Sequence, residues 1–540
     1  MEESRLSFRF LQCLGKLALV FAIATTLPAF AQRNEMTPEV RCWPVEVALG
    51  AGYKLHSLRL ELTYRKFLRS VLDRDPQVKA TEVSVQAAWA QALKAHSPFD
   101  PILAASFSGI RMASPSFTQL AGASTLSSLS EQSSVSYQQA LTNGESFSVN
   151  LNTSRLSSNS IYNFINPSLG STLGFSFVQP LMNNANWQLG IALKEARGQI
   201  LVARRRAEGQ IALRMLAASD DYWNAVDARN GLRLAQASLE RARRMYTYDR
   251  QRLQIGLIPK GETLRSAGAV AQAEQALSDA KEQVKVTNHA IWLDLGMFAL
   301  GVKPRKIGLS NSAAALLWPV GPVDEKRAQA EALSLRSDLK GAERGVILDE
   351  LSITAARNAT HPELNFTAQV GATAVGGYSL LGTSAATGWA TVLGQTFRFQ
   401  SPYYGAGITF QFPLHNSASE GELASALVER DQEQFALAAE KQIVMRQAAD
   451  AWAALQDAER DDAISARLLD LAQRQYQFED RKYKVGQITA FEIVNAESQL
   501  SQMENARLAA RIRVQKARAD LAWATGTFLQ DQRLNIHWIK

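Results

Sequence analysis

Cysteine, histidine and long apolar runs are scarce in this chain, and each scarcity excludes something. Two of the 540 residues are Cys and six are His. Cys13 falls in the N-terminal leader, which leaves Cys42 alone. One thiol makes no internal disulfide, so a disulfide-stapled domain is excluded. Arg41 stands before Cys42 where a lipoprotein signal places a small residue, so a lipid anchor is not expected there. His361 and His415 are isolated beside strand boundaries and read as surface residues. No H-E-x-x-H, Walker loop or G-x-S-x-G occurs, so no catalytic residue, metal site or cofactor is expected.

Long apolar stretches are confined to the start. Arg5, Arg9 and Lys16 precede LALVFAIATTLPAFA, which ends in Ala29-Phe30-Ala31. A basic start, an apolar core and an A-x-A site describe a secretory signal peptide over residues 1–31, cleaved after Ala31. The apolar run is shorter than the ~20 residues a spanning helix needs. Membrane contact by the exported chain must therefore use strands or partners. The formal charge of +7 and pI near 9.3 do not imply nucleic acid. Arg204-Arg205-Arg206 and the "RARR" ending at Arg244 lie in helical patterns interspersed with acids, as a solvated helix face does.

The chain does contain a duplication. "QIGLIPKGE" around Gly256 returns as "KVGQITAFE" around Gly486, 230 residues later. The same offset matches Leu239 with Leu469, Tyr246 with Tyr476, Gln272 with Gln502 and Gly296 with Gly526. "GFSFVQPL" from Gly174 resembles "GITFQFPL" from Gly407 at a slightly longer offset. A repeat of this kind has to be recognised before the fold is assigned.

Within each copy the apolar period changes once. It is two over Leu173, Phe175 and Phe177, and over Ile408, Phe410 and Phe412, which marks strands with one apolar and one polar face. Strands are predicted at about 102–112 and 171–179, then 363–372 and 403–412. Pro180 and Pro413 are read as strand ends and helix starts. From there to each repeated glycine the pattern is helical, a rod on the order of 100 Å at 1.5 Å per residue. Leu232, Leu239, Tyr246 and Leu253 recur by sevens, as do Val270, Leu277, Val284 and Ile291 beyond the turn. Copy two keeps Leu469, Tyr476, Tyr483, Leu500, Val514 and Leu521, with Arg507 breaking the series. This spacing predicts antiparallel coiled-coil hairpins, each long helix partnered by the next. The Ala228, Ala235, Ala242 series allows close approach.

Four strands close no barrel, since small barrels use about eight. An open sheet with one apolar face leaves backbone groups unpaired in lipid. The strands therefore form a soluble sandwich, or several chains pool them. Residues 133–153, turning at Asn143-Gly144, read as an additional hairpin, either a surface extension or a longer wall.

From about Leu60 to Phe528 the chain resembles the TolC-like outer-membrane efflux proteins. The resemblance rests on "PFDPILAASFSG", the paired "FVQPLMN" and "FQFPLHN" joints, the paired glycine turns, and "RSDLKGAE" from Arg336. It implies a helix-dominated membrane protein with a β-barrel: two duplicated hairpins building an α-barrel, and four membrane strands per protomer of a trimeric 12-stranded barrel. The order is a segment at 32–59, a first repeat at 60–322, a second at 323–528 and a tail at 529–540. It implies a homotrimer in the outer membrane, reaching into the periplasm. There it would be a passive exit duct working with a periplasmic adaptor and an inner-membrane RND or ABC exporter, for drugs, metal ions or secreted proteins.

The resemblance also assigns roles. Gly256, Leu257, Gly486, Gln487 and Thr489 fall on adaptor-docking tips, and Glu262, Glu492, Asn495 and Tyr483 on a periplasmic gate. Three copies of one carboxylate around an axis make a ring that attracts cations. Asn495 stands where the family has a carboxylate, and Ile488 where it has a latch arginine. Acids at a helix start are also ordinary partners of the helix dipole. Two other readings compete: a coiled-coil stalk or adhesive envelope protein without transport, and the adaptor itself. Two duplicated hairpins with amphipathic strands count against the adaptor.

Overall fold

A computed structural model describes residues 61–115, 122–183, 185–298, 308–309, 324–379, 387–536 and 538. All but Trp538 lie in one compact unit, Val45–His537. The leader with Ala29 and Ala31, the 32–59 segment with Cys42 and the junction between the repeats lie outside the described residues.

The first repeat comprises β1 (Glu61–Leu62), α1 (Tyr64–Arg74), α2 (Pro76–His96), β2 (Ile102–Pro115), β3 (Thr125–Ala140), β4 (Ser146–Ser158), β5 (Ile165–Met182), α3 (Ala185–Gln254) and α4 (Lys260–Asp294). After β6 (Gly308–Leu309), the second comprises α5 (Glu325–Leu335), α6 (Ser337–Ala359), β7 (Glu363–Ser379), α7 (Trp389–Phe397), β8 (Pro402–Gln411), α8 (Ser417–Lys484), α9 (Ala490–Ala524) and α10 (Phe528–Asp531). The paired motifs occupy equivalent places. Short helices precede each set of strands, and a very long helix with its return follows. Among the described residues no helix is long and apolar enough to cross a membrane.

The long helices have 70 and 68 residues, but their return helices have only 35 each. The next helix in sequence thus accompanies half of each rod. The other half of α3 packs against α2 and α6, and that of α8 against α5 and α6. Gly198 on α3 permits this approach, because a Cβ there would lie 2.3 Å from a methyl of Leu348 on α6. Along the tip-ward half the seven-residue seam appears as expected. Leu239, Ala242 and Ala273 form one cluster with Val270 and Leu277, and Ala458, Val514 and Ala517 another. Arg507, the break in the series, reaches across the seam to Asp462 Oδ1 at 2.5 Å and to Ser465 Oγ at 3.4 Å.

Four glycines end four helices in the same way. Gly256, Gly296, Gly486 and Gly526 have φ of +73, +66, +79 and +80°. In each, the glycine N–H and the next N–H bond back to the last helical turn, as from Gly256 to Leu253 O and Leu257 to Arg252 O. This is the glycine-terminated helix end that L-residues resist. The four sites differ in their surroundings. Nothing lies within 4 Å of a Cβ at Gly256, whereas one at Gly526 would sit 2.9 Å from Arg336 N. Gly256→Ala is expected to cost roughly 1–2 kcal/mol from backbone strain. Gly526→Ala is expected to cost roughly 2–4 kcal/mol by adding overpacking. The order of their thermal unfolding midpoints checks this.

The strands form one antiparallel sheet in the order β2-β3-β4-β5-β7-β8. It contains the four expected strands, three of them longer and β8 shifted by one residue, and two more. Among the described residues the strand count of this sheet therefore rises from four to six. The residues read as an extra hairpin are strands inside the sheet: β3 pairs β2 from Ile102↔Gln138 to Pro115↔Thr125, and β4 pairs β5 from Ser146↔Val178 to Leu156↔Ser168. The physical reason is that β3 and β4 share the alternation of their neighbours. Val135, Tyr137, Val149 and Leu151 continue the apolar face of Phe175 and Leu173, while Ser134, Ser136 and Asn150 continue the polar one. Pro180 lies inside β5, paired with Asn365 just before a register shift at Met182, so it bends the strand rather than ending it.

The sheet curls with its polar face inward. Ser106, Ser134, Asn152, Thr172 and Thr373, spread from β2 to β7, line one concavity. On the convex apolar face, α7 lies over β5 and β7, where Val392 packs on Leu169 and Ala374. Near the middle of α3 the short helix α1 and the long helix share an aromatic core. Tyr64, Phe67, Tyr222 and Trp223 are buried there with ring centroids 5.3–5.5 Å apart.

Candidate functional site

The two hairpin tips lie side by side and interlock. α3 ends at Gln254, and α4 begins at Lys260 after the turn at Gly256. α8 ends at Lys484, and α9 begins at Ala490 behind its N-cap Thr489. Leu257, Gln487 and Thr489 are exposed at the turns, as a docking surface requires. Leu257 and Val485 are large apolar side chains left in solvent.

Glu262 and Glu492 meet at the start of α9. Glu492 is the third helical residue and forms a capping box, its Oε2 accepting from Thr489 N–H at 2.8 Å. Glu262, from the other hairpin, accepts from Ala490 N–H at 2.8 Å. Free N–H groups and the dipole at a helix start favour carboxylates there. Here one carboxylate comes from within the hairpin and one from across it. Asn495 is exposed one turn further along α9.

Behind these acids is a small buried core. Tyr483, Ala490 and Ile493 pack with Met245, Tyr248, Tyr476 and Ile488. Ile488, at the position of the family's latch arginine, is thus part of an apolar cluster. The Tyr483 hydroxyl donates to Asp249 Oδ1 on α3. Tyr248 stacks edge-on to Tyr483 at 5.7 Å, and its hydroxyl donates to Lys484 O at 3.1 Å. The Arg252 guanidinium lies over both rings, 5.5 and 5.8 Å from their centroids. Burial pushes the Asp249 carboxyl above its ordinary range, opposed by a Ser266 hydrogen bond and by Arg252, and assisted by Glu262. Tyr483 is therefore joined to the first hairpin, and Arg252 of α3 supplies a cation beside it.

Asp249, Tyr248 and Arg252 were not among the expected site residues. A signal for Asp249 was present: it is the next member, by sevens, of the Ala228, Ala235, Ala242 series, so a carboxylate occupies a seam position. Higher up, Arg241 bonds Glu497 at 2.7 Å and Glu504 at 3.0 Å, again joining α3 to α9.

The family model for outer membrane efflux proteins matches residues 67–296 and 329–527, one segment in each repeat. The chain belongs to the outer membrane efflux protein family. Among solved structures this efflux protein is similar to CusC, at 16% identity over 88% of this chain and 95% of that one, with a TM-score of 0.62. It is also similar to the open state of the Neisseria gonorrhoeae MtrE outer membrane channel, at 15% identity over 89% and 94%, TM-score 0.61. The Campylobacter jejuni CmeC outer membrane channel is a third, at 13% identity over 86% of each chain, TM-score 0.59. At these identities the likeness is one of fold. No curated protein sequence matches. The family is one of efflux channels, and the tips are the part of this efflux protein where two hairpins are held against each other.

Proposed function

We propose that this efflux protein is the outer-membrane exit duct of a tripartite efflux or type I secretion system. Three copies would pool their sheets in lipid and their hairpins in a periplasmic tube. A periplasmic adaptor would grip the tips at Gly256, Leu257, Gly486, Gln487 and Thr489, and an inner-membrane RND or ABC exporter would supply the energy. The observation that carries this reading is the pairing of a curled, inwardly polar sheet with two long hairpins cross-bonded at their tips. Loss of export, read as restored drug sensitivity or lost secretion on gene deletion, supports it. Normal export with altered attachment would favour the non-transporting stalk.

In the same reading Glu262 and Glu492 are the acidic entrance, with Tyr483 closing it and Asn495 leaving a second ring neutral. Glu492→Gln removes the charge yet retains a side chain able to complete the capping box. The expected result in planar bilayers is weaker cation selectivity and weaker divalent-ion block. Unchanged selectivity and block would leave Glu492 with a capping role alone.

A further inference from the structure

The sheet of this protein has six strands where the resemblance implies four. We propose that the assembled barrel has eighteen strands, six from each of three copies, with β3 and β4 built into the wall of every protomer. The proposal rests on the trimeric reading above.

Three observations carry it. First, β3 and β4 lie between β2 and β5 and are hydrogen-bonded on both sides, so they are not a flap that leaves a four-strand sheet behind. Second, they present the faces that lipid and water demand. Val135, Tyr137, Phe147, Val149 and Leu151 continue the convex apolar face, and the concave face beside them holds Ser, Asn and Gln. On the same convex face, toward the β2–β3 and β4–β5 loops, Glu131 and Arg155 form a cross-strand ion pair at 2.8 Å. Third, the sheet's outer strands have one free edge each. β2 pairs only with β3 and β8 only with β7, and both expose large apolar side chains, Phe107 and Ile110 on one, Ile408 and Phe410 on the other. With an even number of strands the two free edges run in opposite directions, so β2 of one copy meets β8 of the next as an antiparallel pair.

The arc lengths agree. At ~4.8 Å between strands and a tilt of ~40°, six strands span about 38 Å of wall and four span about 25 Å. Four helices per protomer at an interaxial spacing of 8–10 Å span roughly 32–40 Å. At this tilt six strands therefore span about the same arc as the four helices they continue. Three copies give a backbone diameter of about 36 Å instead of about 24 Å, in the size class of barrels that hold an open aqueous channel. The concave lining contributed by β3 and β4, including Gln132, Ser134, Ser136, Asn150 and Asn152, is neutral and hydrogen-bonding. Such a lumen admits bulky polar cargo without sorting it by charge at this level.

The test uses full-length protein reconstituted in lipid nanodiscs, with mass measured on the same sample. Electron cryo-microscopy is expected to show eighteen strands at membrane level, and a trimer with twelve strands overturns the proposal. A different stoichiometry with six strands per copy would overturn the trimer while leaving the strands in the wall. Cysteine probes in a Cys42→Ser background give an independent readout. Asn150→Cys is expected to react with a membrane-impermeant maleimide, and Val149→Cys to be protected at least tenfold. Equal reactivity of the two would place β4 outside the wall. Ala105→Cys with Val135→Cys, directly opposed on β2 and β3, is expected to cross-link within one protomer, and its failure to do so counts against the wall as well.

Discussion

Asp249→Ala is expected to release the tip and raise the resting conductance of the channel. The Asp249 side chain is buried, and Tyr483 on the opposite hairpin donates a hydrogen bond to it. Removing it leaves the Tyr483 hydroxyl without that acceptor and opens a gap beside Tyr248 and Arg252. A hydrogen bond to a charged group contributes roughly 1.5–3 kcal/mol, so the closed state should lose about 10- to 100-fold in relative population per protomer. Single-channel recordings should show frequent large openings, and cells should become permeable to bulky polar antibiotics. Tyr483→Phe removes the same bond from the other side and should behave alike. Asp249→Asn is the control, because an amide oxygen still accepts from Tyr483. If Asp249→Ala rests at the parent conductance, the tip is held elsewhere and the Arg241 pairs become the next candidate.

The pH response of this site has a definite sign. Burial lifts the Asp249 carboxyl above its ordinary range. The folded tip therefore binds the proton more readily than an unfolded chain does. Its contribution is fully present in acid and wanes as pH rises through the raised value. Acid should therefore stabilise the folded tip at Asp249 relative to the unfolded chain, checked by the pH dependence of unfolding in the parent against Asp249→Asn.

Much of this arrangement was legible in the residues, for reasons that also explain the exceptions. The glycine turns stood out because a left-handed backbone is costly for any residue with a Cβ, so the glycines at 256 and 486 survive as punctuation. The same logic at Gly296 and Gly526 marks where the return helices stop, and that fixes their half length. The alternation of Leu173, Phe175 and Phe177 was visible because one face must be apolar. β3 was harder to see, since its apolar face is diluted by Ser133 and Glu131 and reads as much like a polar loop as a wall. The contact between the two tips was only half visible. Tyr483 is marked by its place before a repeated glycine, whereas Asp249 and Arg252 belong to a 70-residue helix full of charges. What distinguishes them is a partner more than 230 residues away, and no local period encodes that.

The same holds at the strand-ward end of the hairpins, where Arg214→Met should destabilise the whole protomer. Arg214 on α3 places Nη2 2.6 Å from Asp75 Oδ2 and 2.5 Å from Asp294 Oδ1. Asp75 is the N-cap of α2, its Oδ1 accepting from Gln77 N–H at 2.7 Å, and Asp294 is the last residue of α4. One guanidinium thus ties three helices where the return helix stops. Both carboxylates are almost wholly buried, so removing the cation leaves two like charges facing each other out of water. Breaking a buried pair from one side costs roughly 3–5 kcal/mol, and this arginine serves two acids. Burial already pushes Asp294 up to about 6, with Arg214 opposing the shift and Asp221 and Asp75 adding to it. Without Arg214 that value must rise further, since the opposing influence is gone. A carboxyl raised in the folded state stabilises most when protonated, and loses that contribution as pH rises through the folded pKa. The variant should therefore melt far below the parent at pH 7.5 and recover part of the difference at pH 5.5. A deficit of equal size at both pH values would mean that Arg214 acts by filling space, and that the two aspartates carry little of the cost.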